Sequence, residues 1–244
     1  MTTAAAVLRA CEALPFGELE AIVGCRRPLI LAPHPDDESL GCGGLIAACC
    51  ARGTPPIVVI VTDGAASHPA SSTYPPARLR SLRAQEALAA VEYLGMQSES
   101  LIFLNVPDTL APTAGQLFRD MLDRVVPLAR AAHCGAIVAS WAHDPHCDHF
   151  ATDALARAVA RATGLTHLAY PVWGWTLPPE SALPDEPVLG WRLNIETHVI
   201  AKRVAIAAHA SQHGGLIDDD PDGFFLPENL LAFFSRPYEV YLKA

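Results

Sequence analysis

Short, continuously apolar runs alternate along this chain with longer stretches whose apolar residues recur at helical spacing. Pro28 to Ala32 predicts a first strand, and Ile57 to Gly64 (IVVIVTDG) a second. Unbroken β-branched runs of this kind suit parallel strands covered on both faces. Leu101 to Val106, Ala136 to Ser140 and Leu168 to Val172 predict three more. Between them Leu40 to Arg52, Arg78 to Leu94, residues 114–132 and Ala151 to Thr163 read as helices, with Gly95 placed to cap the second of these. Residues 4–23 predict one or two short helices broken near Pro15. Arg192 to Val199 predicts an added strand, Ala201 to Ser211 a helix, and Tyr238 to Leu242 a last strand. Residues 65–77 and the Pro-rich 174–190 read as long loops, and Gly214 to Gly223, with four aspartates, as a solvated one. Five alternations of strand and helix call for an α/β fold with an open parallel sheet and right-handed crossovers. No linker, repeat or low-complexity tract divides the chain, so residues 1–244 are expected to form one domain.

The composition narrows the function classes. It is 51% hydrophobic and 18% charged, as expected of a globular chain. The net charge of -9, with no basic run to offset it, argues against a nucleic-acid partner or an anionic membrane surface. The longest apolar run is too short to span a bilayer, so no transmembrane segment is expected. The N-terminal stretch lacks the basic start of a secretion signal. Seven cysteines without a CxxC pair fit a reducing, cytoplasmic setting. A homo-oligomer is compatible with all of this.

The chemistry concentrates in two stretches. After the first strand comes Pro33-His34-Pro35-Asp36-Asp37-Glu38. Three acids suit a helix start, where free N–H groups and the dipole favour negative charge, so a capping role accounts for part of the pattern. His34 and Asp37, three apart across the turn, also make half a metal site. The second stretch, Ser140 to Phe150, follows the fourth strand and carries His143, Asp144, His146, Asp148 and His149. Ligands of open α/β sheets bind at this edge, where neighbouring strands diverge. If the first and fourth strands are neighbours, His34, Asp37 and His149 converge on one ion with positions left open for water. That set suits catalytic zinc and equally a non-haem iron. A nucleotide- or methyl-donor-binding module is the rival reading. It lacks a G-x-G-x-x-G after the first strand, and acids fill the turn where phosphates need bare N–H groups.

Together, PHPDDE, the later His146-Cys147-Asp148-His149, Thr62-Asp63-Gly64, the Arg83/Glu86 pair and Lys202 with His209-Ala210-Ser211-Gln212 resemble the LmbE-like, or PIG-L, metal-dependent N-deacetylases. The resemblance implies a Rossmann-like three-layer sandwich with a mostly parallel central sheet. It also implies a Zn2+, or another divalent ion such as Fe2+, that activates water to remove acetyl or another acyl group from an amine, often on a glucosamine-type small molecule. By position, His34, Asp37 and His149 look like the metal ligands and Asp36 like the general base. His146 looks like the imidazolium that supports the oxyanion or protonates the leaving amine, with Asp148 orienting it. Asp108 resembles an acid that binds sugar hydroxyls, or it caps a loop. Arg83 meets a substrate charge or pairs with Glu86. Cys147 departs from the family's usual Pro and reads as a space-filler. Of Trp173, Trp175 and Trp191, at least two are expected to pack beneath the Pro-rich loop.

Overall fold

The computed structural model describes residues 1–213 and 215–244. The chain opens with β1 (Thr2–Thr3), α1 (Ala4–Glu12), β2 (Phe16–Gly17) and α2 (Leu19–Val23), then enters the alternating core. That core runs β3 (Pro28–Ala32), α3 (Asp37–Ala51), β4 (Ile57–Thr62), α4 (Pro76–Tyr93), β5 (Leu101–Val106), α5 (Gly115–Ala131), β6 (Ala136–Ser140), α6 (Cys147–Thr163) and β7 (Thr166–Tyr170). β8 (Ala182–Leu183), β9 (Gly190–Asn194), α7 (Val199–Ala208), α8 (Glu228–Phe234) and β10 (Tyr238–Lys243) follow. Among the described residues, β2-β9-β10-β7-β6-β3-β4-β5 form an eight-stranded sheet. The run from β7 to β5 is parallel, and β10 lies antiparallel to both neighbours.

β3 shows why its sequence is apolar without interruption. Ile30 and Ala32 pack on the face covered by α3, α4, α7 and α8, while Leu29 and Leu31 pack on the face covered by α5 and α6. Helix, sheet and helix make three layers. Each such fully buried Leu or Ile contributes about 1.5–3 kcal/mol. α3 sits so close to the sheet that a Cβ on Gly41 would overlap the Tyr170 ring. Behind α3, the buried Lys202 Nζ meets Glu239 Oε1 at 2.6 Å, and Glu239 also accepts the N–H groups of Gly44 and Leu45.

The connection order fixes where a site belongs. From β3 the chain moves outward through β4 and β5, then returns to the other side of β3 with β6 and continues to β7. The direction of winding therefore reverses between β3 and β6, and their carboxyl ends open a crevice there.

Several boundaries differ from expectation. α3 starts at Asp37 and not Leu40, and α6 at Cys147 and not Ala151, so the acids and His149 lie on first turns of helices. The strand expected over Arg192 to Val199 is Gly190–Asn194, followed by a 3-10 turn, Glu196–His198, that leads into α7. The aspartate-rich segment is not a free solvated loop: Ile217 and Asp220 are buried, while Gly214 lies outside the described residues. Among the described residues, no helix is long and apolar enough to cross a membrane.

Candidate active site

At the end of β3 the backbone turns sharply at Asp36, whose φ of 147° is a conformation side chains rarely adopt. Neither neighbouring acid caps α3. Asp36 makes no side-chain cap bond, and Asp37 turns back to accept the His34 N–H at 3.0 Å. The strained turn is held from two sides. The Asp36 N–H donates to Glu38 Oε2 at 3.0 Å, and Glu38 Oε1 receives the Ser39 hydroxyl and faces His209 Nε2 at 3.0 Å. Arg83 donates through Nη2 to Pro35 O and to Asp36 Oδ2, at 2.7 and 3.1 Å, and through Nη1 to Gly64 O at 2.8 Å. The expected Arg83–Glu86 pair does not form, because these carbonyls claim the guanidinium. Glu86 instead accepts the Ser211 N–H and hydroxyl.

Three groups converge beside this turn. His34 Nδ1 lies 3.1 Å from Asp37 Oδ2, and His149 Nε2 lies 3.3 Å from the same oxygen. His34 Nε2 faces the carboxylates of Asp148 at 3.0 Å and Asp108 at 3.2 Å. Carboxylates accept, so that nitrogen donates, and the neutral form of this ring, the form that binds a metal, keeps its electron pair on Nδ1. His149 Nδ1 is paired with Asp144 Oδ2 at 2.9 Å, so the neutral form of this ring, the form that binds a metal, keeps its electron pair on Nε2. That nitrogen is fully buried and makes no hydrogen bond in the protein. In these neutral forms both ring nitrogens present an electron pair beside the same Asp37 oxygen. Their 3.1 and 3.3 Å separations match the roughly 3.3 Å edge of a tetrahedron with the 2.0–2.1 Å bonds of zinc. The outer nitrogens are each held by carboxylates, as metal-bound imidazoles usually are.

The electrostatics agree with a seat for positive charge. Burial pulls the His34 imidazole down, yet hydrogen bonds to Asp108, Asp148 and Asp37 lift it well above its ordinary range. His149 is pushed up to about 9 in the same way, burial being overcome by Asp37 and Asp144. Burial pushes Asp37 up, but the charges of His149 and His34 beside it bring it below the usual carboxylate range. Asp36 moves the other way, to about 6, because burial outweighs the pull of Arg83.

His146 caps α6, its Nδ1 accepting the Asp148 N–H at 3.2 Å. Burial and the nearby His34 and His149 lower its pKa, so this geometry does not favour an imidazolium. Nor does the Asp148 carboxylate orient it. That carboxylate serves His34 and accepts the N–H groups of Thr109 and Ala111. Asp108 is engaged on both oxygens, by His34 and by the Ala66 N–H, so it ties a loop to the site. Cys147 points at Thr109 O, 3.6 Å away, and burial with the Asp148 charge raises its pKa. Asp144, to which the sequence assigned no chemistry, accepts from Val172, Trp173 and Gly174 N–H groups while holding His149. It lies in the same Ser140 to Phe150 stretch as His149, but its target is set by the fold.

His34, Asp36 and Asp37 line a cleft of about 350 Å³ that Arg83, Asp108, His146 and Gln212 also line. Trp173 lines it too, whereas Trp175 stacks on Phe233 and Trp191 lies beneath Lys243.

The family model described as PIG-L, GlcNAc-PI de-N-acetylase, matches residues 29–160, more than half of the chain. Among solved structures, the chain is similar to the N,N'-diacetylchitobiose deacetylase from Pyrococcus horikoshii, with TM-score 0.64 and 20% identity, covering 88% of this chain and 82% of that one. It is similar to the zinc-inhibited form of teicoplanin deacetylase Orf2, with TM-score 0.62 and 18% identity over 77% and 85%. It is also similar to GalB, the 4-carboxy-2-hydroxymuconate hydratase from Pseudomonas putida, with TM-score 0.62 and 21% identity over 86% and 83%. Likeness at such identities establishes the fold, and the hydratase carries a different chemistry on it. No curated protein sequence matches the chain.

Proposed function

The chain belongs to the PIG-L family, that of the GlcNAc-PI de-N-acetylases, and from that premise we propose that residues 1–244 form one metal-dependent N-deacetylase domain. It hydrolyses the amide of an N-acetyl or other N-acyl group on a glucosamine-type or related small substrate. Zinc is the proposed ion. The observation that carries this reading is the buried, unpartnered His149 Nε2 beside His34 Nδ1 and Asp37 Oδ2, a donor set that suits zinc. Seven free cysteines support a reducing, cytoplasmic location.

When bound, zinc supplies a water of lowered pKa and polarises the amide carbonyl. The protein's own groups do the rest. Asp36 is the base: its carboxylate lines the cleft, is held by Arg83 and belongs to no ligand pair. His146 accepts the Asp148 N–H at Nδ1, so its neutral ring carries the proton on Nε2. That N–H donates to the carbonyl oxygen as negative charge develops there. Asp144 and Asp148 hold the two ligand imidazoles in the required tautomers. Arg83 acts on the substrate through Asp36.

Purified protein is expected to hold about one divalent ion per chain, and chelation to abolish amine release reversibly. Asp36→Asn keeps the metal and loses about 10²–10⁴-fold in kcat. His149→Ala loses the metal. Metal-free protein with full activity on an amide overturns the proposal.

A further inference from the structure

The cleft is not lined by acids and imidazoles alone. Leu40, Pro145, Trp173, Phe224 and Leu226 form an apolar part of its wall. The Trp173 and Phe224 rings meet edge to face, with centroids 5.4 Å apart. Apart from histidines, Arg83 is the one cationic side chain among the described residues lining the cleft. Both its terminal nitrogens are already taken by Pro35, Gly64 and Asp36. Three of its five N–H donors are thus spent, both on Nη2 and one on Nη1, and its charge is already paired with Asp36, so it is a poor partner for a phosphate or carboxylate on the substrate.

Polar groups on this side are few. Ser67 and Gln212 line it. The Ser211 hydroxyl gives its proton to Glu86 Oε2 at 2.6 Å, so the Gln212 atom 2.9 Å from that hydroxyl must be the amide nitrogen. The Gln212 amide oxygen is then fixed as well, and it is buried without a partner. A ring bearing several hydroxyls needs a partner for each one it buries. On this wall the Ser67 hydroxyl already meets His68 Nδ1 at 3.0 Å, and the Gln212 amide oxygen is the vacant acceptor. The volume, about 350 Å³, is at the lower end of ligand pockets and leaves most of the space empty around a bare acetamide.

We infer that the wall formed by Leu40, Trp173, Phe224 and Leu226 is a subsite for an apolar group of the substrate, with Gln212 Oε1 accepting one N–H or O–H next to it. The group is either an acyl chain longer than acetyl or an apolar substituent on the amine side. This inference rests on the amide-hydrolase reading for the placement of the scissile bond, but not for the existence of the subsite.

The test has a turnover part and a binding part, both on zinc-loaded protein. Amine release is compared for N-hexanoyl- against N-acetylglucosamine, and for phenyl against methyl N-acetylglucosaminide. The first pair reads the acyl side and the second the amine side. Each buried methylene adds up to about fourfold, so kcat/KM is expected to rise between about 10- and 200-fold in one pair. Calorimetry then compares hexanohydroxamate with acetohydroxamate, and benzyl with methyl glycoside of glucosamine, which need no turnover. In Phe224→Ala, whichever preference appears is expected to shrink by about 10-fold or more. Preferences below about twofold in every pair, in turnover and in binding, overturn the subsite and leave the amide-hydrolase reading intact. A binding preference that Phe224→Ala removes, in a protein that releases amine from no amide, supports the subsite and sinks the hydrolase reading.

Discussion

Gly64 and Arg83 act on Asp36 from a distance that only the fold closes. Gly64 has φ of 63°, and a Cβ there would lie 2.5 Å from Arg83 Nη1. Gly64→Ala therefore strains the turn and pushes the guanidinium off Pro35 O and Asp36. We expect kcat to fall about 10–100-fold with metal content unchanged, measured by metal analysis alongside turnover. Arg83→Lys is expected to behave alike, since one ammonium cannot span two carbonyls and a carboxylate as the planar fork does. Metal loss in Gly64→Ala would place Arg83 in the support of the ligands and not of Asp36. The contrast between residues explains what the sequence told. That His34, Asp37 and His149 lie together was legible because their types and turn positions are informative by themselves. Arg83 was not. Its spacing from Glu86 matches a helix surface pair, but this face of α4 is buried, and the true partners come from the ends of β3 and β4. Asp144 was equally opaque, because the loop that folds its carboxylate back onto His149 follows no local rule.

At the scale of elements, two loops that read as independent are tied together over the cleft. Asp219 receives the Ser71 hydroxyl at 2.6 Å and the N–H groups of Ser72 and Thr73 at 2.9 and 2.8 Å. Asp220 receives the Ala70 N–H, and the Phe224 N–H donates to Ser67 O. These bonds, led by the one from Ser71, hold the Asp219 carboxyl below its ordinary range. The wall residues Phe224 and Leu226 continue from this strap. Asp219→Ala is therefore expected to raise KM about 3–10-fold with kcat nearly unchanged, and to speed amide exchange in residues 66–74. An unchanged exchange pattern would show that the strap does not restrain the loop. The regular elements were legible because period-2 and period-3.6 patterns carry them. The starts of α3 and α6 were missed by a few residues for a physical reason. Their first turns spend Asp37, Asp148 and His149 on the site, so the helix signal begins only once the apolar period resumes. The strap was missed because aspartates that bind another loop's backbone look, in sequence, like aspartates that bind water.

The whole molecule has a pH dependence that does not pass through the site. His167 lies on β7, on the rim of the parallel sheet, and only 8% of it is exposed. Burial is the leading cause that lowers its pKa, to about 4, with Arg157 adding to it. Asp153 opposes the shift, but its nearest oxygen is 3.7 Å from His167 Nε2, and its other oxygen holds Arg157 at 2.7 Å. The unfolded chain regains an ordinary imidazole near pH 6.5. Between about pH 6.5 and 4 the unfolded state therefore binds more protons than the folded one, and stability falls as pH falls. Above that window the contribution is constant, and below it the loss is complete. The full loss is about 3 kcal/mol. His167→Gln removes the titration while keeping a side chain able to face Asp153. Urea unfolding of both proteins at a series of pH values separates this residue from the carboxylates that they share. The wild type is expected to lose about 3 kcal/mol more than His167→Gln between pH 6.5 and 4, and to run parallel to it above pH 7. Parallel curves throughout would mean that His167 is protonated in the folded protein as readily as in the unfolded one, with Asp153 closing onto it.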